Sequence, residues 1–249
     1  MRYDFFVDNF KQPPHPKGLS LFGNSVKLEP VDVETHASDL YEAFSLDVDG
    51  EIWKYLPYGS FENFEDFCLW LTKETVKDEA TFLSIIRLTD GKAVGVAAYL
   101  RINQSEGSIE VGHLNYSPLL QRTTLATEAM YLMMKWVFEN GYRRYEWKCN
   151  ALNVKSRKAA QRLGFSFEGV FRQSNIVKGK NRNTAWFAII DSEWNSLKKQ
   201  VERYLSDENF DAENNQIQSL SQLVQPLLYK LDTLELSGVE HLADRHIRR

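Results

Sequence analysis

The chain has 249 residues, 43% hydrophobic and 26% charged, with a formal net charge of −4. This is an ordinary globular composition for one large domain or two small ones, and its acidity argues against a dedicated nucleic-acid binder. The two cysteines, Cys68 and Cys149, lie near no other cysteine or histidine in sequence, so no zinc or redox motif is visible and no metal is expected.

Residues 1–24 read as an N-terminal arm. Pro13, Pro14 and Pro16 bar a regular helix there, and Phe5, Phe6 and Phe10 are expected to hold the arm onto the body. The arm lacks the apolar core of a signal peptide, and no apolar run in the chain is long enough to span a membrane. A cytoplasmic protein is therefore expected. A first strand is expected near Val26 to Glu29, then a helix with Thr35 as a cap and Ala37, Leu40, Tyr41 and Phe44 buried. The aromatic stretch at 51–60, EIWKYLPYGS, reads either as a packed loop or as the wall of an acceptor pocket carrying Trp53, Tyr55 and Tyr58. An amphipathic helix with Phe64, Phe67, Cys68 and Leu71 follows.

Three strands come next, at 82–88, 93–102 and 108–116. In the third, Ile109 and Val111 set one alternation phase, while Leu114 and Tyr116 take the opposite one. The phase slips at Gly112-His113, which suggests a β-bulge or a splayed strand. A strand with two buried faces is the alternative.

Ser117 to Asn140 is a short connection that becomes a helix. Leu125, Ala129, Leu132, Met133, Trp136 and Val137 make its apolar face, with Glu128, Lys135 and Glu139 mainly opposite. Thr123 and Thr124 can cap it. A helix start directly after a strand offers unpaired amides and the positive end of the dipole, a ready anion site. An ordinary core helix with a threonine cap would look the same.

A half-exposed strand at 144–149, a short helix at 153–163, strands at 165–176 and 184–190 and a helix at 192–204 complete the body. Residues 206–249 read as a polar linker and a helical appendage, which docks on the body or joins two subunits in a homodimer. Neither GxGxxG nor GxxxxGK[ST] occurs, so dinucleotide and P-loop nucleotide binding lack support.

Between Gln121 and Ala129 the sequence QRTTLATEA resembles the acetyl-CoA-binding segment of the GNAT acetyltransferases, in particular their RimJ/RimL-like branch. Asn153-x-x-Ser156, then Arg162-Leu163-Gly164-Phe165 and Glu168-Gly169, strengthen the likeness, which covers roughly 25–200. The resemblance implies an α/β (α+β) GNAT acyl-CoA N-acyltransferase fold over 25–205, a mixed, mostly antiparallel sheet with splayed central strands flanked by helices. It also implies an enzyme that transfers acetyl from acetyl-CoA directly to a primary amine, a protein N-terminus or a small molecule. The strands at 108–116 and 144–149 would be the splayed pair that accepts the pantetheine arm.

By the same resemblance, cofactor contacts fall to Leu114, Asn115, Tyr116, Gln121, Arg122, Thr123, Thr124, Leu125, Ala126, Thr127, Asn150, Asn153, Ser156 and Arg157. An amide near His113 to Asn115 would hold the thioester oxygen. The family's middle glycine is Thr124 here, which implies either a helical loop whose Thr124 hydroxyl meets phosphate or a weakened site. Glu110 is the candidate general base, with His113 as the alternative. The family's tyrosine acid maps to Ala160, so Ser156 takes the role of acid to the leaving thiolate. The basic stretch Arg143 to Arg162 suits attraction of the CoA phosphates, a solvated helix face, or RNA. An acyl-CoA-binding module without catalysis is the competing reading.

Overall fold

The computed structural model describes residues 6–213 and 215–232. Eight strands form one sheet in the order β1-β2-β3-β4-β5-β6-β8-β7. They are β1 (Leu21–Phe22), β2 (Val26–Pro30), β3 (Ala80–Arg87), β4 (Ala93–Asn103), β5 (Ser108–Tyr116), β6 (Arg144–Asn150), β7 (Ser166–Val177) and β8 (Lys180–Ile190). All neighbours are antiparallel except β5 and β6, which run parallel. The helices are α1 (Val33–Ser45), α2 (Phe64–Thr75), α3 (Thr124–Glu139), α4 (Val154–Arg162), α5 (Asp191–Leu205) and α6 (Leu220–Val224).

Two apolar cores follow from the alternation of the strands. On one face Tyr99, Ile109, Val111, Tyr145, Trp147 and Phe187 pack with α3, α5 and α6. On the other, Phe82, Val96 and Ala98 pack with Leu40 and Phe44 of α1 and with Phe67, Trp70 and Leu71 of α2. Helices α1 and α2 lie on β4 and β3. On that same face, β6 and β8 carry Lys148 and Trp186 in register.

β5 and β6 pair only from Ser108↔Arg144 to Val111↔Trp147. Beyond that point β6 continues along β8 to Asn150 and β5 continues along β4 to Tyr116, so the two strands part. The expected phase slip is a bulge. Gly112 faces Ala98 and Asn115 faces Val96, so β5 spends one extra residue there, and His113 has φ 48°. A Cβ on Gly112 would lie 2.9 Å from Leu100 Cδ2, which explains the small residue beside the bulge.

Some local expectations need correction. Asp32, not Thr35, caps α1, its carboxylate accepting from Thr35 N at 2.8 Å. Glu128 is buried, because the β1–β2 turn sits on it and donates from Asn24 N (2.5 Å) and Ser25 N (3.0 Å). Phe6 is 92% exposed. Phe10 does hold the arm, its ring packed at Gly107 and under Arg143, and the prolines add to it: Pro13 and Pro16 are buried, and the Pro13 and Pro14 carbonyls accept from Gln104 and Tyr142. Phe5 lies outside the described residues. The appendage docks on the body as far as Asp232, where α6 joins the main core and the Lys230 carbonyl accepts from Phe167 N (2.9 Å). Residues 233–249 lie outside the described residues.

Candidate active site

The parting of β5 from β6 makes a slot through the sheet. Glu110 sits one residue before the last paired position and is buried. Its Oε1 accepts from Arg101 Nη1 at 2.7 Å and its Oε2 pairs with Lys148 Nζ at 2.8 Å. Burial pushes its carboxyl above the ordinary 4.5, and Lys148 and Arg101 only partly offset this. Lys148 also meets Glu146 at 2.7 Å and lies 3.8 Å over the Trp186 ring.

His113, at the bulge, stacks between Tyr58 (2.9 Å from its Nδ1 to the phenol oxygen) and Phe82. Burial lowers its pKa and raises that of Tyr58, so a neutral imidazole meets a protonated phenol. Asn115 is buried, and neither its side-chain polar atoms nor the buried Tyr116 hydroxyl has a partner among the described residues. Trp53 belongs to the aromatic core under α1 and α2 and is 5% exposed, so it supports the loop from beneath. Tyr55 and Tyr58 extend from that loop. The Tyr55 hydroxyl donates to the Leu152 carbonyl (3.2 Å), and Lys178 Nζ donates to the Trp53 carbonyl (3.3 Å). The loop therefore spans from the α1/α2 side to α4 and to the β7–β8 turn.

On the opposite side of the slot, α4 begins at an Asn153 cap, whose side chain accepts from Ser156 N (3.1 Å). The Trp147 indole donates to Ser156 Oγ at 3.0 Å. Because an indole N–H can only donate, the hydroxyl proton of Ser156 must point elsewhere. Asn150 Oδ1 accepts from Leu152 N (2.9 Å), closing the turn before the cap.

Leu114 and Tyr116 lean on the α3-side core, followed by the connection to α3. Gln121 Nε2 donates to the Tyr116 carbonyl (2.8 Å). Arg122 takes the positive φ of the loop, 61°, and Thr124 is the first helical residue. The chain therefore needs no glycine at 124, since the left-handed residue is two positions earlier. Thr123 Oγ1 accepts from Ala126 N (3.2 Å) and donates to the Leu120 carbonyl (2.6 Å). Among the described residues the amides from Arg122 to Leu125 have no acceptor, which is the donor array an anion needs. Thr127 turns inward, where its hydroxyl accepts from Arg162 (3.1 Å). Of the three hydroxyls on this turn, only that of Thr124 faces outward with no partner among the described residues.

Most of the basic stretch is engaged internally. Arg144 pairs with Glu146 and Glu168, Lys155 with Glu51, and Arg162 bonds Thr127 and Tyr204. Arg157 is 3% exposed, grips Asp232 through Nε (2.6 Å) and Nη2 (2.5 Å), and donates to the Ala151 carbonyl at 2.7 Å. It supports the turn before α4 and does not reach toward solvent. Sequence reasoning missed Arg101, Lys148 and Trp147 as the partners of Glu110 and Ser156. Only the in-register pairing of β4, β5 and β6 reveals them.

Three helix-flanked features define the class: a mixed sheet, a parallel pair that parts midway, and a capped helix start beside the gap. The chain belongs to the acetyltransferase (GNAT) domain family, whose profile matches residues 26–166. It is an acetyl-CoA-dependent N-acetyltransferase. It is 39% identical to a GCN5-related N-acetyltransferase from Brucella melitensis, with TM-score 0.85 over 88% of this chain and 100% of that one. A Chromobacterium violaceum protein described as a probable GNAT acetyltransferase is 37% identical, with TM-score 0.72 over 77% and 96%. The uncharacterized N-acetyltransferase YnaD of Bacillus subtilis (strain 168) is 26% identical over 164 residues, 65% of this chain and 94% of that protein. Two more distant structures share the fold. One is the microcin C7 self-immunity acetyltransferase MccE, in complex with acetyl-CoA and AMP (21% identity, TM-score 0.59, 68% and 93%). The other is a Salmonella typhimurium enzyme that modifies the N-terminal serine of a 50S ribosomal subunit protein (17%, 0.58, 68% and 96%).

Among the described residues, no helix is long and apolar enough to cross a membrane, and no three His, Cys, Asp or Glu side chains group as a metal site.

Proposed function

We propose that the enzyme acetylates a primary amine by direct transfer within a ternary complex. The observation that carries this is the parting of β5 from β6 beyond Val111, one residue after Glu110. A slot lined on one side by an unpaired strand edge suits a pantetheine arm, whose amides can pair with backbone as a strand would. The free amides from Arg122 to Leu125 suit the pyrophosphate. With the thioester in the slot, an amide beside the bulge can hold the carbonyl oxygen as negative charge develops there.

The acceptor reaches the enzyme largely as an ammonium and must lose a proton before it attacks the thioester carbon. Glu110 takes that proton, directly or through water. The C–S bond breaks as the C–N bond completes, and the leaving thiolate takes a proton from Ser156, which solvent replaces. His113, with Tyr58 on its Nδ1, shapes the acceptor side. A RimJ/RimL-like acceptor, a protein N-terminus, fits the QRTTLATEA segment and the ribosomal-protein-modifying fold relative, and a small-molecule amine fits the same chemistry.

The reading is tested in two steps. Acetyl-CoA should raise the melting temperature, as a ligand of the folded state must. Free thiol should then appear on adding members of an amine panel. No stabilisation by acetyl-CoA would sink the reading, and stabilisation without turnover on any amine would turn it into a binding module.

A further inference from the structure

On β8, Arg182 is half-buried and forms no ion pair among the described residues. Its Nε is sealed from water with no hydrogen-bond acceptor. Strand β8 runs in unbroken register along β6, with Lys148 opposite Trp186 and Asn150 opposite Thr184. Arg182 lies two residues beyond the last β8 position paired with β6, where the β7–β8 register also shifts, and strand alternation over the four residues from Trp186 puts it on the face where Lys148 reaches Glu110. The Trp186 indole N–H is likewise buried without a partner among the described residues. Arg182 lies beyond the end of β6, close to where Lys178 ties the β7–β8 turn to the Trp53 loop. Burial lowers its pKa, and Cys149, then Arg101 and Glu110, act on it electrostatically.

Guanidinium and indole nitrogens can only donate. Leaving such donors dry and unpaired is costly and calls for an acceptor atom from outside the chain. Arg101 and Lys148, the neighbouring cations, are already spent on Glu110, whereas Arg182 is not.

We propose that Arg182, with Trp186 on the same face of β8, recognises an oxyanion group of the acceptor, a carboxylate or a phosphate, so that the substrate is an amine that also carries a negative charge. This rests on the amine-acetylating reading above and narrows its acceptor class. Arg182 is a specificity determinant, and proton transfer stays with Glu110.

The test compares matched acceptors in the wild type and in Arg182→Gln. Standard amino acids are paired with their carboxamides, and O-phosphoethanolamine with ethanolamine. Each comparison is made within a pair and between the two enzymes, so differences in amine basicity cancel. In the variant, kcat/KM for the anionic member should fall about tenfold to a hundredfold, as loss of a hydrogen bond to a charged group implies. The neutral member should change less than about twofold, and stabilisation by acetyl-CoA should be unchanged. The affected pair distinguishes carboxylate from phosphate, and Arg182→Lys should recover part of the loss, because it keeps charge without the planar fork. Equal loss on both members of a pair overturns the proposal.

Should no panel amine be turned over, binding decides. With CoA present, the N-acetylated amino acids should raise the melting temperature of the wild type and not of the variant. Absence of that difference overturns the proposal. Failure of acetyl-CoA itself to stabilise the protein sinks the transferase reading instead.

Discussion

Glu110 carries opposing demands. A buried carboxylate is costly to ionise, and the structure answers with Arg101 and Lys148 at 2.7 and 2.8 Å. Burial still leaves its pKa above 4.5. A base acts only when deprotonated, so activity should rise with pH through that raised value, giving kcat/KM an acidic limb above pH 4.5. Glu110→Gln should abolish the limb and lower kcat/KM by about a hundredfold or more. An acidic limb that survives unchanged in the variant would remove Glu110 from the proton path. In sequence the residue was a candidate because it lies on the strand that the resemblance implies is splayed. Its cations could not be read there, since Arg101 and Lys148 come from two other strands and meet it only through register.

Helix α3 shows what local sequence can and cannot convey. Its apolar period and its cap are local, and both Thr123 and the helical Thr124 were legible. The direction of Thr127 and Glu128 was not, because α4 and the β1–β2 turn cover the helix start from distant parts of the chain. Trp53 stayed open between its two readings for the same reason, since an aromatic run looks alike whether it lines a pocket or fills a core, and the structure packs it in the core. At the cap itself, Thr123→Ala should destabilise the fold by about 1 kcal/mol, with Thr123→Ser nearly neutral, by chemical denaturation. Because the same turn presents the free amides, the alanine variant should also lose part of its stabilisation by acetyl-CoA. A cap variant with wild-type stability would show that the threonine bond contributes nothing.

Across the whole molecule, the chain is closed by contacts between its end and its middle. Arg157 and Asp232 are 75 positions apart, their side chains are 4% and 3% exposed, and Asp232 N donates to Gln161 (2.8 Å). The resemblance placed Arg157 at the cofactor, and nothing near 157 in sequence reveals its partner. Removing one member of a buried pair strands the other, so Asp232→Asn should cost about 3 kcal/mol. The double variant Arg157→Met with Asp232→Leu should recover much of that loss, since an apolar pair leaves no buried charge behind. Denaturation midpoints of the single and double variants decide this, and equal destabilisation of both would show that the ion pair is not the source.

The slot between β5 and β6 divides the labour of the sheet. The groups proposed to handle the cofactor, the α3 start and the α4 cap, belong to the face packed by α3 and α5. Glu110, the Tyr58–His113 pair and Arg182 belong to the face shared with α1 and α2. Only the few residues at the rim answer to both sides. On the proposed assignment, acceptor choice can drift by changes in the 51–58 loop and in β8 while the acyl-donor machinery stays intact, a modularity built into a single layer of strands.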